Sequence, residues 1–114
     1  MNFRRTKSNS RMQALGRLKT GAMNKTEAAY DLYLKLRPDV VWHKFEGLKF
    51  RLADNTFYTP DFAVLLDSGE LEAHEVKGFW QDDARVKIKV AADMYPIRFI
   101  AIKAVKGDWQ VEQF

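Results

Sequence analysis

Cysteine is absent from the chain. That excludes disulfides, fits a reducing cytoplasm, and leaves no thiolate to favour a soft metal. No apolar run is long enough to span a bilayer, and no signal-peptide hydrophobic stretch is found. The sequence therefore predicts a cytoplasmic protein with no membrane partner. Internal repeats and low-complexity tracts are missing as well. What is there, 114 residues of which 46% are apolar and 13% aromatic, suits one compact domain with an ample core.

Acid is missing from the first 23 residues, where Arg4, Arg5, Lys7, Arg11, Arg17 and Lys19 give a net +6. The remaining 91 residues hold 13 basic and 15 acidic side chains, a net −2, and the two parts together make the chain's +4. A basic arm over 1–23, rich in Ser, Asn and Gly, ahead of a single domain over 24–114, points to contacts with nucleic-acid phosphates. The plainer alternative is a solvated tail. Ser10 to Lys19 would place Met12, Leu15 and Leu18 roughly along one side of a short helix.

The segment from Phe57 to Gly78, FYTPDFAVLLDSGELEAHEVKG, carries the chemistry. It reads as two apolar strands joined by a tight turn. Asp67-Ser68-Gly69 suits a three-residue hairpin loop, a type I turn followed by glycine in the left-handed region. Leu66 then pairs with Glu70, Leu65 faces Leu71, Ala63 faces Ala73, Asp61 faces Glu75 and Thr59 faces Lys77. Asp61, Glu75 and Lys77 would share a face that is otherwise apolar, with opposed Cβ atoms about 4.5–5.5 Å apart. A two-residue Ser68-Gly69 turn would instead shift the register by one and move Asp61 to the wrong face. Two carboxylates that close repel unless a cation lies between them or one is protonated. Taken singly, each residue has a plain reading: Asp61 after Pro60 as a solvated strand start, Glu75 and Lys77 as an exposed polar edge. His74 falls on the other face, with Phe62, Val64 and Val76, as a packing or hydrogen-bonded histidine.

Around this hairpin the sequence predicts a mixed α/β fold. Asn24-Lys25-Thr26-Glu27 reads as a capping box starting a helix that ends near Arg37, before Pro38. Ala28, Leu32 and Leu36 form its expected apolar stripe, with Ala29 and Tyr33 beside them. Glu27 lies at the edge of that stripe, above Tyr30 and Leu34. Val40–Phe45 and Leu48–Leu52 are expected to pair as a hairpin through Glu46-Gly47, with Asp54-Asn55 turning the chain into the Phe57 strand. Asp82-Asp83 caps a second helix to about Tyr95, before Pro96. Ile97 to Ala104 reads as a buried strand, and Trp109 to Phe114 as an edge strand. On the second helix, Arg85 and Lys89 share a face that is most simply solvated. Lys87 lies on a separate face and is the better phosphate candidate, together with Lys25 at the first helix. Phe79-Trp80-Gln81 follows Lys77 and either forms the lip of a cleft or packs in the core.

TPDF, then 13 residues between Asp61 and Glu75, then EVKG, resembles the PD-(D/E)xK nuclease superfamily, whose fold is that of restriction enzymes and junction resolvases. GAMNKTEAAYDLYL ahead of the motif and KGFWQDDARVKIKVAADMYP behind it are similar to a group of small phage-type proteins with that fold. The resemblance covers roughly residues 20 to 105. It implies a restriction-endonuclease-like core of helix, strands, helix and strand. It also implies Asp61 and Glu75 as ligands of Mg²⁺, with Mn²⁺ able to substitute, the Val76 carbonyl in the same shell, and Lys77 as catalytic lysine. Glu27 occupies the position where many members place a further metal-site glutamate, the alternative being its role as a helix cap.

Physical chemistry assigns the same roles. Phosphodiester hydrolysis needs a hydroxide near neutral pH and charge compensation on the phosphate, which a hard cation held by carboxylates supplies. Lys77, a cation beside carboxylates, suits water positioning better than general-base action. The leading expectation is a metal-dependent DNA endonuclease acting in phage recombination or genome processing, selective for branched DNA, in the host cytoplasm if phage-encoded. Cutting both strands would be simplest for a homodimer. A DNA-binding or assembly module without catalysis, or an RNA-directed nuclease, are the alternatives.

The arm has its own test. Removing residues 1–23 is expected to weaken DNA binding and flatten its dependence on salt, by about 0.9 in the log–log slope for each phosphate the arm neutralises. An unchanged slope in a fluorescence-anisotropy titration would return the arm to the solvated tail.

Overall fold

A computed structural model describes residues 22–77 and 82–114. Arg4, Arg5, Lys7, Arg11, Arg17, Lys19 and Phe79-Trp80-Gln81 lie outside the described residues. The element order is α1 (Lys25–Leu36), β1 (Val40–Phe45), β2 (Phe50–Ala53), β3 (Thr56–Tyr58), β4 (Phe62–Leu66), β5 (Leu71–Lys77), α2 (Asp82–Met94), β6 (Arg98–Val105) and β7 (Asp108–Gln113). Five strands form a mixed sheet in the order β1-β4-β5-β6-β7, and β2 and β3 form a separate two-stranded sheet. Among the described strands only β5 and β6 run parallel, and α2 makes the crossover that a parallel pair requires.

The β4–β5 turn adopts the three-residue form. Gly69 has φ 91°, its N–H donates to the Leu66 carbonyl at 2.9 Å, and Leu66 N–H donates to the Glu70 carbonyl at 2.9 Å. The ladder then runs Leu65↔Leu71, Val64↔Glu72, Ala63↔Ala73, Phe62↔His74, which is the register read from the sequence. Helix α1 also starts as read. Asn24 Oδ1 accepts from Glu27 N–H at 2.8 Å, and Glu27 Oε1 accepts from Asn24 N–H at 2.9 Å, both halves of the capping box. The second helix, the buried strand β6 and the edge strand β7 fall where the sequence places them.

Three expectations are corrected. First, β1 does not pair with β2. It lies antiparallel against β4, from Val40↔Leu66 to Phe45↔Phe62. Strand β4 is buried from Phe62 to Val64, so its backbone groups need a ladder on each side, and β1 supplies the second. At Glu46-Gly47 the chain leaves the sheet: Glu46 has φ 51° and donates its N–H to the Asp61 carbonyl at 2.7 Å. A Cβ on Gly47 would come within 3.0 Å of Lys44 Cβ and 3.3 Å of Ala63 Cβ, so the close passage over the sheet uses glycine. Second, the stretch from Phe57 to Leu66 is not one strand. Thr59-Pro60-Asp61 breaks it, with β3 turned onto β2 through Asp54-Asn55 and only β4 in the main sheet. Proline cannot donate to a ladder, which is why the break falls there. The Thr59–Lys77 pairing is therefore not formed, and Asp61 precedes the strand.

Third, α1 buries Tyr30 and Leu34 and leaves Leu32 at 57% and Leu36 at 74% exposure. The sheet presents Phe62, Val64, Val76, Ile100 and Ile102 to this side, and Tyr30 and Leu34 fill that surface. Tyr30 also meets Trp109 edge-on, with ring centroids 5.0 Å apart. On the opposite face Ala73 and Phe99 pack with Phe50, Tyr58, Ile88 and Ala91, so α2 and the β2–β3 hairpin cover that side together. Glu27, one turn before Tyr30, thus belongs to the sheet-facing side of α1.

This reversal of the α1 face is measurable. Leu34→Ala is expected to cost about 2–5 kcal/mol, whereas Leu36→Ala should stay within about 0.5 kcal/mol. Denaturant unfolding of the two variants checks it, and comparable losses would contradict the orientation described.

Candidate functional site

The fold brings Asp61, Glu75 and Lys77 together at one end of β5. Asp61 lies in the bend that opens β4, and its Oδ2 accepts a hydrogen bond from Val76 N–H at 2.8 Å. Its carboxylate is thereby tied to the peptide between Glu75 and Lys77. Glu75 is buried, 7% exposed, on the sheet face shared with Ala73. Its two oxygens have different partners: Oε1 accepts from the Tyr58 hydroxyl at 2.7 Å, and Oε2 lies 3.1 Å from Lys77 Nζ. Tyr58 stands two residues before Pro60, at the end of the strand that the proline break turns away from the main sheet.

The electrostatics are strained. Burial first, and the negative charge of Glu75 second, push Asp61 up from the usual carboxylate range to about 8; Glu27 adds to the rise through its charge and a hydrogen bond, while the Val76 N–H pulls the other way. Burial and Glu75 likewise hold the Tyr58 hydroxyl well above its ordinary range, so it remains a donor. Lys77 offsets only part of the charge that Asp61 and Glu75 bring. A divalent cation would relieve the remainder, and the donors are all oxygen, as a hard ion such as Mg²⁺ prefers. Among the described residues, no group of three or more His, Asp or Glu side chains is arranged to hold a metal. The available set is two carboxylates, which is the number Mg²⁺ usually takes from protein while keeping its waters. On these grounds the residues fit such an ion.

Glu27 is a helix cap that also reaches Asp61. Oε1 closes the cap on Asn24, and the same side chain acts on Asp61. The backbone at Val76 lies at the site through its N–H. Lys25 is exposed at the first residue of α1, and Lys87 is half-buried on α2; neither contributes to the shift of Asp61. Arg85 pairs with Glu112 of β7 at the surface. Tyr58 is the member of the site that the sequence does not reveal, because a single tyrosine in an alternating strand looks like any core residue.

His74 is fully buried behind the site, on the α1 face of β5. Its Nε2 lies 2.8 Å from Glu72 Oε1 and its Nδ1 2.7 Å from the Tyr30 hydroxyl. A carboxylate only accepts, so Nε2 carries the proton and Nδ1 accepts from Tyr30. Burial lowers the His74 pKa despite Glu72, and the hydrogen bond from His74 lowers that of Glu72. This is a satisfied structural network with a neutral imidazole, as the sequence suggested for His74.

Comparison with family models, with curated proteins and with solved structures finds no match. No helix among the described residues is long and apolar enough to cross a membrane.

Asp61 makes stability depend on pH in a defined direction. The folded protein keeps a proton on Asp61 up to about pH 8, whereas the unfolded chain loses it near 3.8. Between those values the folded state binds more protons, so this group lowers stability as pH rises. In EDTA, Asp61→Asn should therefore unfold at a higher temperature than wild type at pH 8, with the gap closing toward pH 4. Added Mg²⁺ should narrow the gap at pH 8. A difference that stays constant with pH would refute the assignment.

Proposed function

We propose that the protein is a metal-dependent nuclease that hydrolyses DNA phosphodiester bonds, with a restriction-endonuclease-like core of the PD-(D/E)xK type. The observation that carries this reading is the convergence of Asp61, Glu75 and Lys77 on one end of β5, with Asp61 driven up to about 8 by burial and by its neighbours. A perturbed carboxylate held beside a second buried acid and a lysine is what a site of this chemistry requires. The arrangement of α1, the β4–β5 hairpin, then α2 leading into a parallel β6, supports the fold assignment.

Asp61 and Glu75 would hold Mg²⁺ or Mn²⁺, with the Val76 carbonyl and Glu27 as further candidates. When bound, such an ion makes water a nucleophile near neutral pH and offsets charge on the phosphate. The chain's own residues do the rest. Val76 N–H and the Tyr58 hydroxyl each fix one carboxylate, so neither has to reorganise when substrate arrives. Lys77 stands beside Glu75 as a hydrogen-bond donor, placed to orient the attacking water or to steady charge on the phosphoryl oxygens. Glu27 sets the charge around Asp61 from the first turn of α1. The basic residues of the arm, with Lys25 and Lys87, serve as phosphate contacts, and a homodimer would bring two such sites to the two strands of a duplex.

Cleavage of linear duplex, single-stranded, flap and four-way-junction DNA and matched RNA tests the reading, in Mg²⁺, Mn²⁺ or EDTA. Wild type should cut DNA only with metal, with branched substrates preferred. Lys77→Ala should lower kcat by about 10²–10³-fold, and Asp61→Asn by at least as much. Full activity in either variant would refute the site. DNA bound and left intact on every lane would favour a binding module, and a preference for RNA would change the substrate class.

A further inference from the structure

The catalytic face of the sheet continues past Lys77 across two more strands. Lys77 of β5 is in register with Lys103 of β6, and Lys103 with Gln110 of β7. Two residues back, and next on the same face, Glu75, Ala101 and Glu112 form the neighbouring row. Carboxylates thus occupy one row and hydrogen-bond donors the next. A pocket of about 110 Å³ is lined by Lys77, Lys103, Gln110 and Glu112 among others.

The charges in this pocket do not cancel. Lys77 meets Glu75 at 3.1 Å, and Glu112 receives Arg85 Nη1 at 3.1 Å. Lys103 has no ion-pair partner among the described residues. Two lysines side by side on adjacent strands, about 4.7–4.9 Å apart in the ladder direction, repel and destabilise the sheet. Protection against edge pairing does not account for Lys103, since such lysines belong on edge strands and β6 is interior to the sheet. A repulsive pair beside an amide donor calls for an anion that spans them.

We propose that Lys77, Lys103 and Gln110 form a track for one nucleic-acid strand. Lys77 takes the scissile phosphate, Lys103 the phosphate next to it, and Gln110 the backbone beyond. This rests on the nuclease reading for the role of Lys77. Lys103 is a positioning residue: it holds the phosphate beside the scissile one in the bound strand and takes no part in bond cleavage.

The test uses the full chain, a fluorescein-labelled DNA duplex, and the variants Lys103→Gln and Lys103→Arg. Binding is measured in Ca²⁺ over a range of NaCl, and steady-state cleavage in Mg²⁺. Lys103→Gln should flatten the log–log salt slope by about 0.9, one phosphate contact, and raise KM several-fold while kcat is unchanged. Lys103→Arg should restore the slope. Lys103 is exposed, so its unfolding midpoint should not move. A slope for Lys103→Gln equal to wild type would overturn the track, even if wild type cuts DNA normally. Conversely, a flattened slope in a protein that never cuts would keep the phosphate track and remove the nuclease reading. Failure of wild type to bind the duplex would overturn both.

Discussion

Side chains alternate faces along a strand, so the β4–β5 register decides which residues share a surface. The left-handed Gly69 and the two hydrogen bonds around Leu66 fix that register from the turn. Everything at the site follows from it. Ala63 and Ala73 leave room on one face for the side chains above them, while Phe62 and His74 occupy the other. A slip of one residue would bring Glu75 onto the α1 side, among Tyr30 and Leu34, with no partner for its charge. The turn therefore places the chemistry, although it lies at the opposite end of the hairpin.

The proline break turns this hairpin into a site. Had the strand run unbroken from Phe57, Asp61 would be one more ladder residue and Tyr58 would lie in the main sheet. Instead the chain bends at Thr59-Pro60-Asp61. Its freed Asp61 carbonyl receives Glu46 N–H, and the Asp61 side chain receives Val76 N–H. Tyr58, carried onto the α2 side by β3, reaches down to Glu75. Each carboxylate has one uncharged holder, an amide for Asp61 and a phenol for Glu75, and Lys77 is the one cation beside Glu75 among the ion pairs of the described residues. Fixing position with so little charge is an arrangement that favours a cation at the same place.

Much of this was legible in the sequence because it is local. The Asn24–Glu27 box, the Asp67-Ser68-Gly69 loop, the stops before Pro38 and Pro96 and the edge placement of β7 each depend on a few neighbouring residues. The misreadings share a cause. Apolar residues lie on several sides of α1, so periodicity alone could not choose between Leu32-Leu36 and Tyr30-Leu34; the shape of the sheet chose. Likewise β1 and β2 are adjacent in sequence, yet β4 needed a partner on its open side, and that requirement is non-local. Tyr58 and Lys103 carry no motif of their own. Their significance appears only once two sheets, or three strands, are set side by side.

Strand β5 allows a comparison between two buried acids in one molecule. Glu72 and Glu75 are three residues apart, both buried, on opposite faces. Glu72 accepts from His74, faces Arg98 at 3.7 Å, and is held below the usual carboxylate range. Its surroundings stabilise its charge, and the Tyr30–His74–Glu72 chain is complete with every polar atom engaged. Glu75 has Tyr58 and Lys77, but its neighbour Asp61 is driven far the other way. A fold selected for stability alone would treat both acids as it treats Glu72. Leaving the second pair short of positive charge costs stability near neutral pH, and that cost is consistent with a ligand supplying the missing charge. The same reasoning applies one row along, where Lys103 has no ion-pair partner among the described residues. A buried acid pair held by a single lysine, beside a second lysine on the neighbouring strand, is an arrangement that suits a cation and an anion bound side by side.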